Sequence, residues 1–275
     1  MAAAEFDPQP ASEPRFADID GARIEYRRIE VAGARAPAIV FLHEGLGSVS
    51  QWRDFPAQLC ALAGLDGLVY SRRGHGRSAP LAAPRTPDFM HAEALQVLPQ
   101  LLATLDVKTP ILFGHSDGAS IAAIYAGAHP AAVRALILEA PHFFVEARSL
   151  EGIRAARAAF ETTDLPERLA RHHDDARAMF YGWNDVWLSA GFRDWNIESA
   201  LGPVRCPVLA IQGEDDEYGT MAQLDALERR AGGAATLLKL ARCGHVPHRD
   251  QRDAVLAACA RFIATLDFSD PISPR

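Results

Sequence analysis

Short apolar runs alternate with longer stretches of helical spacing along most of this chain. Apolar runs of this length are typical of parallel strands that are buried on both faces of a sheet. The runs are Ala38–Leu42, Leu68–Tyr70, Pro110–Phe113, Ala135–Leu138, Val208–Ile211 and the more mixed Ala234–Leu240. The helical stretches are Ala57–Leu62, His91–Leu105, Ala119–Ala128, Met221–Arg230 and Ala254–Leu266. The alternation predicts an α/β fold with a doubly wound, mostly parallel sheet flanked by helices.

Two regions depart from this alternation. Arg15–Ile19 and Ala22–Glu30 flank an Asp20-Gly21 turn signal, which predicts a hairpin before the parallel strands. Residues 142–204 contain no convincing strand but are rich in Ala, Arg and aromatic residues. We interpret them as a helical cap over the carboxyl edge of the sheet, where open α/β folds place their sites. The predicted core is therefore residues 15–141 and 205–275, after a disordered leader of residues 1–14.

Charge, apolar stretches and cysteine spacing limit the classes of partner and the cellular location that we expect for the chain. A formal net charge of −7 offers no basic face for nucleic acid or an anionic membrane. No apolar stretch approaches the roughly 20 residues of a membrane span, and the N-terminal residues lack the pattern of a secretory signal. The four cysteines are scattered without a CxxC pair, as in reduced proteins. We expect a cytoplasmic protein whose partner is a small-molecule substrate, with a homo-oligomer left open.

The pentapeptide Gly114-His115-Ser116-Asp117-Gly118 lies between the predicted strand ending at Phe113 and the predicted helix beginning at Ala119. It is a G-x-S-x-G sequence in the strand–turn–helix context that this motif requires. A sharp turn with a strained central residue needs neighbours that are almost without side chains, which the two glycines supply. The motif predicts Ser116 as a nucleophile and the N–H of Asp117 as an oxyanion donor.

With these flanking elements the sequence resembles the α/β-hydrolase superfamily from about Phe16 to Phe268, in the branch with a serine nucleophile. The resemblance implies acyl transfer through a Ser-His-Asp triad without a cofactor. The segment Tyr70–Ser78 is similar to the D-x-R-G-x-G-x-S loop of this family, with Ser71 where Asp is frequent. The resemblance implies that Arg73 is a buried brace of the loop with no chemical role, and His75 is interpreted in the same way.

The second oxyanion donor is expected after the strand Ala38–Leu42. The sequence His43-Glu44-Gly45-Leu46-Gly47-Ser48, followed by Trp52, matches the family loop and places Gly45 in the donor position, with Leu46 as the alternative. Backbone N–H groups fixed before reaction stabilise the developing oxyanion. Glu44 stands where the family usually has Gly. Its carboxylate either makes the pocket more negative or braces the loop through local hydrogen bonds, and His43 is expected to brace the loop as well.

The acid and the base are predicted in the chain order Ser…Asp…His. The family pattern G-x-x-D selects Asp216 within Gly213–Asp216, and Asp215 is the competing carboxylate. The Gly-His pair after the last strand selects His245 as the base. His248 is the alternative, and we expect it to be exposed at the start of the terminal helix.

The remaining candidate residues are assigned to the substrate or to structure. Glu44, His142 and Trp187 are candidates for substrate binding. His142, His172 and His173 show neither HExxH nor Cys/His spacing, so no metal is expected.

The predicted activity is hydrolysis of a carboxylic ester or a related acyl bond. Two other substrates stay open, a thioester and the carbon–carbon bond of a vinylogous diketone from ring cleavage. The spacing from His43 to Trp52 resembles the C–C hydrolase branch, but Asp117 stands where that branch usually has an apolar residue. A non-catalytic ligand receptor on the same scaffold is the hypothesis outside enzymes.

Overall fold

The computed structural model describes residues 14–268, so the leader predicted for residues 1–14 lies almost wholly outside the described part. Its centre is one eight-stranded sheet in the order β1-β2-β4-β3-β5-β6-β7-β8. The strands are β1 Arg15–Ile19, β2 Ala22–Ile29, β3 Arg35–Leu42, β4 Leu65–Tyr70, β5 Ile111–His115, β6 Ala135–Glu139, β7 Val208–Gly213 and β8 Ala235–Leu240. All eight strands were predicted, and β3 to β8 pair in parallel.

The helices cover both faces of the sheet, as the alternation predicts. They are α1 Phe55–Ala63, α2 Phe89–Ala92, α3 Leu98–Thr104, α4 Asp117–Ala128, α5 Ala147–Thr162, α6 Leu165–Ala170, α7 Ala176–Leu188, α8 Glu198–Leu201, α9 Ala222–Arg230, α10 Pro247–Asp250 and α11 Arg252–Ala264. The predicted helix His91–Leu105 is interrupted, because a π-helical turn at Glu93–Val97 joins α2 to α3.

The antiparallel edge of the sheet is the predicted hairpin. β1 pairs with β2, and β2 pairs in turn with β4, both in antiparallel register. Asp20 and Gly21 have φ values of 53° and 69°, the left-handed conformation that a tight two-residue hairpin turn requires. The Asp20-Gly21 turn therefore fixes the register of β1 and β2.

Residues 142–204, hereafter the 142–204 segment, contain α5 to α8 and a short 3-10 helix at Ala190–Phe192. Within this described segment there is no strand, only an isolated bridge between Phe144 and Asn196. Its aromatic side chains, Trp187 and Phe192 among them, belong to the same buried apolar cluster as Val40 of β3. The segment is thus packed against the core through apolar contacts.

The parallel strands bring the chemistry-bearing loops to one edge. Because β3, β5, β6, β7 and β8 run in parallel, their carboxyl ends lie at the same edge of the sheet, and the loops that follow these strands all begin at that edge.

Among residues 14–268 no helix is both long enough and apolar enough to cross a membrane.

Candidate active site

Ser116 lies in the turn between β5 and α4 with a strained backbone, φ 54° and ψ −119°. The glycines on either side allow this turn because side chains would collide there. A Cβ on Gly114 would lie 2.3 Å from the carbonyl oxygen of Gly118, and one on Gly118 would lie 2.0 Å from that of Leu42. The close approach at Gly118 also brings the end of β3 against the start of α4.

The structure brings three of the predicted site residues into one line of hydrogen bonds. His245 Nε2 lies 2.9 Å from Ser116 Oγ, and His245 Nδ1 lies 2.9 Å from each carboxylate oxygen of Asp216. Ser116 is 6% exposed and His245 is 8% exposed, so both are largely shielded from water. The competing acid, Asp215, has an exposed side chain.

Asp216 is 1% exposed and is held as a carboxylate by neutral donors. Its Oδ1 accepts hydrogen bonds from the backbone N–H groups of Tyr218, at 2.7 Å, and Gly219, at 3.2 Å. Its Oδ2 accepts one from Gln212 Nε2 at 2.6 Å. Sequence reasoning missed Gln212, although a polar residue near the end of an apolar strand is a signal that a buried partner is present.

His245 and Asp216 shift each other's pKa in the directions that general base catalysis needs. Burial favours neutral His245, but the charge and hydrogen bond of Asp216, with Glu217 and Glu44, outweigh it and raise the pKa of His245 above 6.5. Burial opposes ionisation of Asp216, yet the charge and hydrogen bonds of His245 and the Tyr218 N–H lower its pKa overall. The carboxylate is therefore charged beside an imidazole that readily accepts a proton.

The loop His43–Gly47, hereafter the oxyanion loop, follows β3. The N–H groups of Gly45 and Leu46 donate no hydrogen bond to any described residue, and neither does the N–H of Asp117 at the start of α4. These are the free donors that an oxyanion requires. Gly45 is in contact with Trp183 of the 142–204 segment, because a Cβ there would lie 2.0 Å from the indole nitrogen.

A model of the family with the alpha/beta hydrolase fold matches residues 37–190 of the chain. The chain belongs to the α/β-hydrolase family. This confirms the predicted family and fold class.

Curated relatives of this hydrolase share limited identity with it. It is 29% identical over 165 residues to the sn-1-specific diacylglycerol lipase ABHD11 of Mus musculus, across 59% of the hydrolase and 50% of that relative. The hydrolase thus spans half the length of this relative. It is 27% identical over 265 residues to the 2-succinyl-6-hydroxy-2,4-cyclohexadiene-1-carboxylate synthase of Enterobacter sp. (strain 638), across 85% and 94% of the two chains.

Solved structures share the fold at lower identity. The enol-lactonase from Burkholderia xenovorans LB400 aligns with a TM-score of 0.71 and 21% identity, over 91% of the hydrolase and 100% of that chain.

Glu44 gives this hydrolase an acidic group in its oxyanion loop. The bracing contacts of Glu44 come from its backbone, since its carbonyl oxygen accepts hydrogen bonds from His43 Nδ1 at 2.7 Å and Arg72 Nη2 at 2.9 Å. Its Oε2 is buried without a hydrogen-bond partner among the described residues. Burial, opposed by Arg72 and His245, raises the pKa of Glu44. Glu44 Oε2 therefore takes no part in bracing the loop.

The buried arginine of the loop after β4 is Arg72, so the prediction for Arg73 is wrong by one position. Arg72 is 1% exposed, and its guanidinium donates to the carbonyl oxygens of His43 and Glu44. Arg73 is only half-buried and donates weakly to the hairpin, to the Asp20 carbonyl at 3.3 Å. Both positions carry arginine, so the motif alone does not show which side chain points inward.

Asp117 follows the nucleophile and is a second buried acid near Ser116. Its carboxylate is 3.9 Å from Arg72 Nη2 and accepts a hydrogen bond from Trp187 Nε1 at 3.2 Å. Burial raises the pKa of Asp117, with Arg72 opposing the shift. The indole N–H of Trp187 is therefore used within the protein. Of the other predicted pocket residues, His142 is buried with its ring 5.6 Å from that of His245, and burial lowers its pKa to about 3.

His248 is not exposed as predicted, because it pairs with a buried carboxylate on β6. Its Nδ1 and its backbone nitrogen each lie 2.6 Å from an oxygen of Glu139, and its side chain is 11% exposed. The ligand atoms of His115, Glu139 and His248 lie within 4.8 Å of one another, a group that could hold a metal ion. His115 Nε2 also lies 2.7 Å from the His245 carbonyl oxygen, so its N–H donates to the backbone of His245 and helps to fix that residue.

A cavity of about 240 Å³ adjoins the oxyanion loop on the side of His248. Its polar lining includes Glu44, Gln51, Arg53, His172, His248 and Arg252. Val246, which follows the base directly, also borders this cavity. Ser116 and His245 are not among the residues that line this cavity, which therefore lies beside the triad and does not contain it.

Proposed function

We propose that this hydrolase cleaves a carboxylic ester or a related acyl bond through Ser116, His245 and Asp216. The observation that carries the proposal is a chain of two hydrogen bonds, each 2.9 Å long. One joins the Asp216 carboxylate to His245 Nδ1, and the other joins His245 Nε2 to the hydroxyl of Ser116, whose backbone is strained. A nucleophile, its base and the carboxylate that orients the base are recognised by this geometry.

The reaction follows from the proton positions. Asp216 holds the Nδ1–H tautomer of His245, which leaves Nε2 free to accept the proton of the Ser116 hydroxyl. The resulting alkoxide attacks the substrate carbonyl, and the N–H groups of Gly45 and Asp117 receive the oxyanion. Protonated His245 gives its proton to the leaving group, and water, activated by the same imidazole, hydrolyses the acyl-enzyme.

The proposal extends to the 142–204 segment, which we propose is a cap over this site. Trp183 on α7 contacts Gly45, and Trp187 on the same helix donates to Asp117. Both oxyanion donors therefore have a neighbour from this segment. Two similar proteins, the diacylglycerol lipase and the enol-lactonase, have names that denote cleavage of an ester or a lactone, which supports the proposal.

The test is a substrate screen with Ser116→Ala and Ser120→Ala. Ser120 is a buried serine one turn along α4, whose hydroxyl donates to the His142 carbonyl at 2.6 Å, which makes it the matched control. The wild type and Ser120→Ala are expected to hydrolyse p-nitrophenyl esters of graded acyl length and to be labelled by a fluorophosphonate. Ser116→Ala is expected to lose both, and labelling that persists in Ser116→Ala would overturn the assignment of the nucleophile.

The same screen separates the bonds that an acyl-transfer site can cleave. Acyl thioesters, lactones and a vinylogous diketone are assayed beside the esters at equal concentration. Higher kcat/KM for the diketone than for every ester would contradict ester hydrolysis and assign C–C hydrolysis instead. Binding of these compounds without any turnover, seen as a raised Tm, would assign a receptor.

A further inference from the structure

Three successive carbonyl groups of the oxyanion loop are bound by buried imidazoles. The carbonyl oxygens of Glu44, Gly45 and Leu46 lie 2.7, 3.0 and 2.9 Å from His43 Nδ1, His75 Nε2 and His173 Nε2. All three histidines are at most 3% exposed. They come from three separate parts of the chain, and His173 belongs to the 142–204 segment, between α6 and α7.

The second nitrogen of each ring fixes its tautomer. A carbonyl oxygen only accepts, so the nitrogen facing it must carry the proton. The other nitrogen accepts from an N–H: His43 from the Arg72 backbone at 3.0 Å, His75 from Arg85 Nη2 at 3.2 Å, His173 from the Gly76 backbone at 2.9 Å. His75 Nδ1 also lies 3.3 Å from the Arg73 carbonyl oxygen, but the Arg85 guanidinium can only donate, so it selects this nitrogen as the acceptor. Each ring therefore uses one donor and one acceptor, which only a neutral imidazole offers. Burial lowers the pKa of all three, to about 4 for His173.

Fixing these carbonyls also fixes the N–H groups between them. In a planar trans peptide the carbonyl and the following N–H point in opposite directions. The bonds from His43 and His75 thus turn the N–H groups of Gly45 and Leu46 away from those rings. The bond from His173 to the Leu46 carbonyl turns the Gly47 N–H toward the Glu44 carbonyl, which accepts it at 3.1 Å and closes the turn.

We propose that His173 is a positioning residue for the oxyanion hole: by holding the Leu46–Gly47 peptide it closes the turn that carries the N–H groups of Gly45 and Leu46. This proposal rests on the proposed function. His43 and His75 lie in the core, so they hold two of the carbonyls whatever the 142–204 segment does. His173 supplies the third bond only when this segment is docked. The docking contact includes the Asp174 N–H, which donates to the Gly76 carbonyl at 3.0 Å, and an ion pair between Arg77 and Asp174.

Two substitutions of His173 separate positioning from packing. His173→Gln retains an N–H donor for Leu46 and an acceptor for Gly76, whereas His173→Met fills a similar volume without a donor. His173 Nε2 also lies 3.1 Å from Gln51 Oε1, a contact that the glutamine variant can keep as well. We expect kcat for a p-nitrophenyl ester to fall about 10- to 100-fold in His173→Met, as for other small displacements of reacting groups. In His173→Gln we expect kcat within about threefold of wild type, at near-constant KM in both variants.

The measurements use the full chain, with active sites counted by fluorophosphonate titration so that kcat refers to folded enzyme. Asp174→Ala is the control, because it removes the Arg77 ion pair of the same docking contact and leaves His173 in place. An equal loss of kcat in Asp174→Ala, or no recovery in His173→Gln, would show that docking alone matters. If wild-type enzyme turns over no ester, thioester or lactone, the proposed function fails. If wild type is active and His173→Met retains its kcat per titrated site, only this inference fails.

Should His173→Met fold poorly, His173→Leu measured at reduced temperature makes the same comparison with His173→Gln. The acid limb of the kcat/KM profile adds a readout that a loss of His245 function would move. It is expected to stay at the wild-type pH in every His173 variant, because the base and its acid are untouched.

Discussion

The buried histidine His245 and a group of three others near it, His43, His75 and His173, have pKa values that are shifted in opposite directions. His245 faces the Asp216 carboxylate, which raises its pKa above 6.5 despite burial. His43, His75 and His173 face carbonyl oxygens and N–H groups, and burial lowers the pKa of each. A carboxylate stabilises the imidazolium, so His245 is suited to take a proton. A carbonyl on one nitrogen and an N–H on the other leave no place for a second proton.

The difference assigns separate tasks to one kind of side chain. In the proposed reaction the acid–base half of the site, His245 with Asp216, changes its charge in each turnover. The oxyanion half must keep fixed dipoles throughout the reaction, because donors that reorganise lose their advantage. Substitutions in the first half should therefore change the pH dependence of activity, and those in the second half, apart from the charged Glu44, should change kcat alone.

The largest effect is expected where the acid–base half is broken. In Asp216→Asn the amide no longer holds the Nδ1–H tautomer of His245, so Nε2 carries the proton and Ser116 loses its base. We expect kcat for a p-nitrophenyl ester to fall about 10⁴-fold, measured at the pH optimum. Asp215→Asn, one residue away and exposed, is the control and should retain wild-type kcat. A comparable loss in the control would move the acid to Asp215.

A smaller loss is expected where the oxyanion half is loosened. Arg72 donates from two nitrogens to two successive carbonyls of the oxyanion loop, which the single ammonium of a lysine does not reproduce. We expect Arg72→Lys to lower kcat about 10- to 100-fold, with the acid limb of kcat/KM at the wild-type pH. Arg73→Lys should change kcat little, because Arg73 is half-buried and donates to the hairpin, not to the oxyanion loop. The reverse order would restore the motif-based assignment of the brace to Arg73.

Trp187 connects the 142–204 segment to Asp117 beside the nucleophile. Trp187→Phe removes the donor of the 3.2 Å bond and leaves a buried carboxylate oxygen without it. Trp195→Phe is the matched change, because Trp195 is also buried and its Nε1 has no partner among residues 14–268. In urea unfolding we expect Trp187→Phe to lose about 1–2 kcal/mol more stability than Trp195→Phe. Equal losses would mean that ring volume, not the bond, holds the segment at Asp117.

The parts of the site that sequence predicted are local. Ser116 follows β5 directly, and Gly45 and His245 lie in the loops after β3 and β8, so a short motif near a strand end determines where the backbone places each of them. Asp216 needed only the spacing from the end of β7. The hairpin, too, follows from two adjacent turn residues, Asp20 and Gly21.

The parts that sequence did not predict depend on contacts between distant segments. His173 and Leu46 are 127 positions apart, and His248 is buried because Glu139, 109 positions earlier, ends β6 beside it. Neither pairing leaves a pattern within one stretch of sequence. A polar residue such as Glu139 at the end of a buried strand shows only that some partner exists.

The smallest predicted effect asks whether the two halves of the site are electrostatically separate. Glu44 belongs to the oxyanion loop, yet its charge helps to raise the pKa of His245, as does the charge of Glu217 in the loop after β7. The base must be neutral to act, so activity is lost as pH falls through the pKa of His245. Removing either acid lowers that pKa and moves the acid limb of kcat/KM to lower pH, with kcat at the optimum nearly unchanged.

The two acids differ in their exposure to salt, and this difference makes the test. Glu217 is exposed, although its Oε2 accepts a hydrogen bond from the His245 backbone N–H at 3.2 Å, so counterions reach and screen its charge, whereas the buried Oε2 of Glu44 is screened much less. Glu44→Gln should therefore shift the acid limb at both low and high ionic strength, and Glu217→Gln should shift it chiefly at low ionic strength. If the shift from Glu44→Gln were absent at both ionic strengths, the oxyanion half would be electrostatically independent of the base; if it disappeared only in high salt, the Glu44 carboxylate would be as open to counterions as that of Glu217.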